Sequence, residues 1–251
     1  MIFAPNPFLM IKITDTHEKI LAIDIGGSRI KAILLDVEGN TLMDYHRLDT
    51  PHPATPERVM ETIARLTEGF AGYTRVSVGF PGYVKKGIVH TAPNLGSEYW
   101  HEEDLAQHLT DLLIHPVRVV NDADLQGLGV ARGKGLEMVI TLGTGFGTSI
   151  LMDGILLPHL ELAHHPVSKD REYDDYIGNR GFEDAGPEKW NRRLQRVIEI
   201  LKTVFNYDHL YISGGNAKKI DFQLDQNITV ATNLDGIRGG AKLWLKDHYN
   251  V

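Results

Sequence analysis

The sequence predicts an α/β protein of two similar lobes that face one another across a cleft. Two observations carry this expectation. Short β-rich runs broken by Gly-containing turns alternate with amphipathic helical stretches along the chain. In addition, Ile23-Asp24-Ile25-Gly26-Gly27-Ser28 leading into Ile33-Leu34-Leu35-Asp36 is loosely echoed by Thr141-Leu142-Gly143-Thr144-Gly145 leading into Ile150-Leu151-Met152-Asp153. A repeated Gly-rich hairpin suggests two halves that hold one polyphosphate chain from both sides, although two unrelated hairpins would give the same pattern. At 251 residues the chain is long enough for two lobes of roughly 100 to 150 residues each.

Residues 1–18 carry two prolines and no clear periodicity, and read as an N-terminal arm. Runs at 20–25, 30–35 and 41–48 follow, separated by Gly26-Gly27 and by Glu38-Gly39-Asn40, and are expected to form an antiparallel meander. Pro51, Pro53 and Pro56 break the pattern before a helix over 56–70, whose Val59, Ile63 and Leu66 share a face. Residues 76–80 read as a buried strand closed by Pro81-Gly82. Strand, turn, strand, turn, strand, helix, strand is the order of an actin-like half-domain. Residues 87–96 are irregular, and 102–114 return to helical spacing through Leu105, Leu109 and Leu112. A β-branched strand at 117–120 runs through Asn121-Asp122-Ala123-Asp124 into a helix ending near Gly133 to Gly135.

The second series is a strand at 138–142, a Gly-rich turn at 143–147, a strand at 148–152 and a turn at Asp153-Gly154. Polar helical residues 169–180, a helix over 187–205, a strand at 209–213 and a turn at Gly214-Gly215-Asn216 come next. A helical segment, 236–249, offers Ala241, Leu243 and Leu245 for packing. These elements divide the chain into a small N-terminal lobe at 19–116, a large C-terminal lobe at 117–235, and a C-terminal helix at 236–251 that packs back toward the first lobe.

Composition narrows the chemistry. Hydrophobic content of 42% and charged content of 24% are those of an ordinary globular protein. A net charge of −7 supplies no global field for nucleic acid, so an anionic ligand needs a local arrangement of donors. The absence of cysteine excludes disulfides, thiolate metal sites and thiol nucleophiles, and is compatible with a cytoplasmic location. No apolar run approaches the roughly 18 residues of a membrane span, and the opening Met1 to Met10 lacks the basic start and cleavage site of a signal peptide.

In the stretch Asp24 to Lys31, Gly26 and Gly27 can adopt φ > 0 and carry no Cβ, so N–H groups can point at an anion. Asp24 suits the water shell of Mg²⁺, and Lys31 adds a point charge for phosphate. The same octapeptide also reads as a plain tight turn. Asn121, Asp122 or Asp124 at a helix start reads equally as an N-cap. A lone Glu161-x-x-His164 is otherwise surface spacing, and with His165 it could suggest a metal site.

Taken together, Asp24-Ile-Gly-Gly-Ser-Arg-Ile-Lys31, Gly79-Phe-Pro-Gly82, Thr91-Ala-Pro-Asn-Leu95, Val120-Asn-Asp-Ala-Asp124, Leu142-Gly-Thr-Gly-Phe-Gly147, Glu161-Leu-Ala-His164 and Ile212-Ser-Gly-Gly215 resemble the ROK sugar kinases, and within them the polyphosphate glucokinase branch. The resemblance runs from about Lys19 to the end and implies the two-lobed actin-like ATPase, or ribonuclease H-like, fold. It implies transfer of a terminal phosphoryl group from polyphosphate and/or ATP to the 6-hydroxyl of a hexose, glucose foremost, with Mg²⁺. Asp122 matches the general base, a role that suits a carboxylate beside an alcohol. Asn94, Asn121, Glu161, His164 and Glu172 match sugar contacts. Asp124 fits a supporting or capping position better than the base. Gly26, Gly27, Ser28 and Lys31 match a first phosphate loop, Gly143, Thr144, Gly145 and Gly147 a second, and Gly214 and Gly215 the turn that borders adenosine in ATP-using relatives.

The chain also departs from the pattern. Ala163 stands where a glycine is usual, Asn216 replaces a third glycine, and the cysteines of the zinc segment of many relatives are missing, so no zinc is expected. The arm shows no helix-turn-helix pattern, which argues against a DNA-binding repressor of the same family. Expected partners are the hexose and the donor, with no nucleic acid or membrane and with a homodimer as a family habit. The alternatives are a polyphosphate or nucleotide phosphohydrolase on the same fold, which would not need Asn94, Glu161 and His164 together, and a non-catalytic sugar-binding regulator, which would not need Asp122.

Overall fold

Two sheets of the same plan organise the protein, whose computed structural model describes residues 18–245, apart from the side chains of Asn233 and Leu234. The first half comprises β1 (Lys19–Ile25), β2 (Arg29–Asp36), β3 (His46–Asp49), α1 (Pro56–Thr67), β4 (Arg75–Phe80), β5 (Val84–Lys85), β6 (Ile88–Val89), α2 (Ser97–Trp100), β7 (Glu103–Asp104), α3 (Leu105–Leu113) and β8 (Val117–Asn121). Helix α4 (Asp122–Val130) leads to β9 (Leu136–Leu142), β10 (Phe146–Met152), β11 (Ile155–Leu156), β12 (Pro166–Ser168), β13 (Arg171–Glu172), α5 (Tyr173–Ile177), α6 (Asn179–Ala185), α7 (Pro187–Phe205), β14 (His209–Ser213) and β15 (Ile228–Val230). Helices α8 (Asn233–Ile237) and α9 (Gly239–Lys242) complete the described chain. The arm expected at 1–18 lies outside the described residues except for Glu18, which pairs with Arg75 at 2.8 Å.

The first sheet has the order β3-β2-β1-β4-β8 and the second β11-β10-β9-β14-β15. In each, two antiparallel pairs at one side give way to two parallel pairs at the other. The hairpin echo read from the sequence is therefore a repeat of topology. Strand β8 pairs in parallel with β4, so the first sheet extends through Asn121, and the boundary expected between 116 and 117 divides a sheet. The run at 117–120 is short and buried because it closes that sheet rather than opening the next.

Each half has its own apolar core. Val59, Ile63 and Leu66 of α1 and Leu105, Leu109 and Leu113 of α3 pack on the first sheet, each full burial contributing about 1.5–3 kcal/mol. Leu112, expected on that face, is exposed, and Leu113, four residues on from Leu109, takes the inward place; the helix starts at Leu105 after an Asp104 cap that accepts from the Gln107 N–H at 3.1 Å. Residues 103–104 go instead to β7, which pairs with β6 inside the stretch expected to be irregular. In the second half, Trp190, Leu194, Val197 and Leu201 of α7 form the matching core, and the helix and β14 have the expected bounds. The polar stretch at 169–180 is split between α5 and α6.

Three other expectations move. The third strand begins at His46 rather than at 41, since the Asp36 carboxylate accepts from the backbone and side-chain amides of Asn40 at 2.8 Å each and turns the chain off the sheet edge. Helix α4 ends at Val130, because the Glu137 carboxylate gathers the N–H groups of Arg132, Gly133 and Lys134 into a loop. The C-terminal segment turns helical at 233, earlier than 236, because Thr232 and Asp235 form a capping box, and it breaks at Arg238 into α8 and α9.

That segment lies against both α4 and the first sheet. Ile237 and Ala241 pack with Ile20, Ala22, Ile33 and Leu35. The Ser77 hydroxyl donates to the Gly240 carbonyl at 2.6 Å and accepts from the Trp244 indole N–H at 2.8 Å. A Cβ on Gly239 would stand 1.8 Å from the Leu125 carbonyl oxygen of α4, so the two backbones touch only because that residue has no side chain. Gly239→Ala is therefore expected to lower unfolding stability by about 1–3 kcal/mol or more, read as a lower urea midpoint at unchanged m-value.

Candidate active site

The cleft forms where the parallel strands of the first sheet end. Asp24 lies opposite Gly79, and Gly79 opposite Val120, so the chain ends of β1, β4 and β8 sit side by side. Asp122 is the first residue of α4, directly after β8. Asp24, Lys31, Tyr45, Asp122, Leu125 and Gln126 line one pocket there, closed on the far side by Gly236 and Ile237. Tyr45 carries no motif signal in the sequence. It reaches the pocket because residues 42–45, read as strand, leave the sheet edge.

Asp24 and Lys31 are paired across the β1–β2 hairpin at 3.0 Å, and the Asp24 charge raises the Lys31 ammonium above its usual range. Asp122 is half-buried, and its carboxylate Oδ1 accepts from the Ala123 N–H at 2.8 Å. Burial is the main reason its carboxyl is pushed up to about 7, with the Asp24 charge next and Asp124 adding to it. A carboxyl that titrates near neutrality in a cleft can accept a proton and release it again.

Asn121, not Asp122 or Asp124, is the N-cap of α4. Its Oδ1 accepts from the Ala123 N–H at 2.8 Å, while its Nδ2 donates to the Gly82 carbonyl at 2.9 Å. Each polar atom of the amide thus holds backbone through one of its two hydrogen-bonding positions, leaving one N–H and one lone pair. Asn94 is exposed and abuts the first loop, a Cβ on Gly27 falling 3.3 Å from its own Cβ.

The first Gly-rich loop is built differently from the expectation. Neither Gly26 nor Gly27 takes a positive φ. Gly26 is required by space, since a Cβ there would stand 2.9 Å from the Arg29 carbonyl oxygen to which the Gly26 N–H donates. Thr50 holds this loop from outside, its hydroxyl donating to the Gly26 carbonyl at 2.6 Å and its N–H to the Ser28 carbonyl at 3.1 Å.

The second loop follows β9 as the first follows β1. Gly143, Thr144 and Gly145 are at least partly open, and a Cβ on Gly143 would meet nothing within 4 Å. Asn179 donates its N–H to the carbonyls of Gly143 and Thr144 at 3.0 and 3.3 Å. Asp174, another residue that sequence reasoning missed, accepts from the Phe146 N–H at 2.6 Å and lies beneath Gly145. The Gly147 N–H donates to the Thr141 hydroxyl at 3.1 Å. Gly214, at φ +91°, turns the chain over the Leu142 carbonyl. Asn216, in the place of a third glycine, is right-handed helical, buried, and donates from Nδ2 to the Gly143 carbonyl at 3.2 Å and to Asn179 Oδ1 at 2.7 Å.

The acidic and imidazole groups expected at a sugar gather at one place. His164 Nδ1 and Glu172 Oε2 are 3.0 Å apart, and this hydrogen bond raises the imidazole above its usual range, with the Glu161 charge contributing. Ala163 lies within a short 3-10 turn, Leu162–His164, and outside the left-handed region, so the missing glycine leaves the backbone unstrained.

Known proteins share this geometry. Residues 20–161 match the ROK family. Over 214 residues the chain is 33% identical to a polyphosphate glucokinase of Mycobacterium tuberculosis (strain CDC 1551 / Oshkosh), the match covering 82% of this chain and 81% of that protein. The solved inorganic polyphosphate/ATP-glucomannokinase of Arthrobacter sp. strain KM is 33% identical, with a TM-score of 0.80 over 90% of this chain and 97% of its own. A ROK family glucokinase from Streptomyces griseus, solved with glucose and AMPPNP, shares the fold at a TM-score of 0.74 and 21% identity, covering 90% of this chain and 98% of its own. With the two-sheet plan, the paired Gly-rich loops and these likenesses in agreement, the chain belongs to the ROK family and has its two-lobed, actin-like architecture.

Proposed function

We propose that the protein is a hexose kinase that transfers the terminal phosphoryl group of polyphosphate or ATP to the 6-hydroxyl of glucose. The observation that carries this is Asp122, a carboxyl poised at about 7 in a cleft it shares with Asp24 and Lys31; the reading gives Asn94, Glu161, His164 and Glu172 the sugar hydroxyls. The glucokinase and glucomannokinase names of the relatives support the substrate class.

In this mechanism Asp122 accepts the proton of the 6-hydroxyl as that oxygen bonds to the terminal phosphorus. The bridging P–O bond breaks and leaves ADP or a polyphosphate shorter by one unit. Lys31 and the N–H groups of Gly27, Ser28, Thr144 and Gly145 hold the donor, the other N–H groups of the two loops being spent within the protein, and the Gly214-Gly215 turn borders it. Among the described residues no three His, Asp or Glu side chains are arranged to hold a metal directly. Asp24, 30% exposed at the cleft and already paired with Lys31, fits an ion that keeps most of its water and travels with the phosphates, as Mg²⁺ does. Bound there, Mg²⁺ would offset charge on the transferring phosphoryl group.

A coupled assay with glucose and either donor tests this directly. Glucose-dependent product is the expected outcome, whereas glucose-independent phosphate release would mark a phosphohydrolase and glucose binding without turnover a sensor. Asp122→Asn should cut kcat by about 10²–10⁴-fold while glucose affinity changes only a few-fold. Because the carboxylate is the active form, kcat/KM should rise with pH and level off above about 7. Asp24→Asn removes the charge that helps hold Asp122 up, so the acid limb should move to lower pH as kcat falls. The raised Asp122 carboxyl also costs stability, because the unfolded chain loses this proton at lower pH than the folded one. Asp122→Asn should therefore gain thermal stability over the native chain progressively between about pH 4 and pH 7, with a constant advantage above that window.

A further inference from the structure

Two residues beyond Asp122 on the same helix begins a charged chain of which only the last member, Glu161, has a part in the mechanism above. Asp124 Oδ2 is 2.8 Å from His159 Nδ1, and His159 Nε2 is 3.4 Å from Glu161 Oε1. The Asp124 and His159 side chains are only 5% and 6% exposed. The Tyr83 ring lies parallel over His159, with centroids 6.0 Å apart and planes at 19°. Tyr83 follows Gly82, whose carbonyl is held by Asn121, and the Thr148 hydroxyl donates to the Leu160 carbonyl at 3.1 Å to fix the next residue of the histidine's own segment.

Burial alone would push the imidazole down, yet the two flanking carboxylates carry it up to about 10, so His159 is an imidazolium between two anions. Such a buried group of charges is expensive to desolvate, and well-packed apolar side chains would usually serve stability as well. It is also incomplete. Asp124 Oδ1, His159 Nε2 and Glu161 Oε1 are buried with no hydrogen-bond partner among the described residues, and the three are consecutive along the chain of contacts. Glu161 is the one member open to solvent, 30% of its side chain being exposed. A hydroxyl bound at its outer oxygen would fix the carboxylate that now stands at ion-pair distance from Nε2.

We propose that His159, gripped by Asp124 and roofed by Tyr83, is the positioning residue that sets the Glu161 carboxylate for the hexose hydroxyls and ties that contact to the helix bearing Asp122. This rests on the hexose-kinase reading above. The histidine acts on the acceptor sugar through Glu161 and leaves the donor untouched, since both of its ring nitrogens face carboxylates on the sugar side.

The test compares the native enzyme with His159→Ala, His159→Gln, Glu161→Gln and the double variant His159→Ala/Glu161→Gln, measuring kcat, KM for glucose and for donor, and glucose binding by calorimetry without donor. Loss of the positioning contact should raise glucose KM and Kd by about 10- to 100-fold, the worth of one charge-assisted contact. Donor KM should stay within about threefold, and the double variant should be no worse than Glu161→Gln alone. His159→Gln, which keeps one N–H donor and the approximate size, should recover part of the glucose affinity. It also carries the comparison if the alanine variant fails to fold. The proposal is overturned if glucose KM is unchanged in both histidine variants, if glucose and donor KM rise together, or if the two single effects multiply in the double variant. Absence of glucose binding and turnover in the native enzyme would instead remove the kinase reading itself.

Discussion

Helix α4 is held at backbone distance on several sides, and the rest of the structure is arranged around that closeness. On one side Gly127 faces the Ser149 hydroxyl of β10, where any Cβ would stand 1.9 Å away. On another, Gly129 meets the carbonyls of Asp235 and Gly236, and at the helix start Gly79 lets β4 approach the Asp122 Cα. Leu125 and Leu128 of the same helix share a core with Val139 and Leu151 of the second sheet. Because interiors pack without slack, a side chain at Gly129 would meet backbone and displace an element, whereas at Gly127 and Gly79 it would first crowd the side chains of Ser149 and Leu125. The helix therefore carries Asp122 at a position fixed by both sheets and by the C-terminal segment at once.

That rigidity matters for the charge it bears. A carboxyl pushed up to about 7 by burial and by Asp24 would relieve its cost by swinging toward water if its support were loose. Here Asn121 caps the helix from the preceding position and ties it to Gly82, so the first turn cannot unwind without breaking two hydrogen bonds. The proposed base and its environment are thus one mechanical unit. The Asp124–His159 pair extends the unit toward the sugar side, in the same turn of helix.

Much of the fold was legible because it rests on local signals. The α7 bounds followed from Pro187 at the start and the end of apolar spacing at Phe205, and both Gly-rich hairpins were visible from residue type alone. What the chain order could not convey was pairing between distant segments. The run at 117–120 looked like the start of a new lobe because nothing in its sequence encodes that β4 is its neighbour. Leu112 and Leu113 have equal hydropathy and both lie within one turn of Leu109, so only the seating of α3 on the sheet decides which of them faces inward. Of the site, Asp24, Lys31 and Asp122 were readable as motif chemistry. His159, Asp174 and Tyr45 were not, because each acquires its partner, Asp124, Phe146 or the Asp24–Lys31 pair, only when the chain folds.

The two Gly-rich loops occupy equivalent places in the repeat, yet they are not equally braced. The first is held from outside by Thr50, through one hydroxyl and one N–H. The second is gripped by Asn179, Asn216, Asp174 and Thr141, which reach it from separate elements. The cleft thus has an anvil and a spring: one wall is tied to the fold through several elements, the other chiefly through one residue. A difference in stiffness between otherwise symmetric halves gives a repeated fold a direction, which topology alone does not supply.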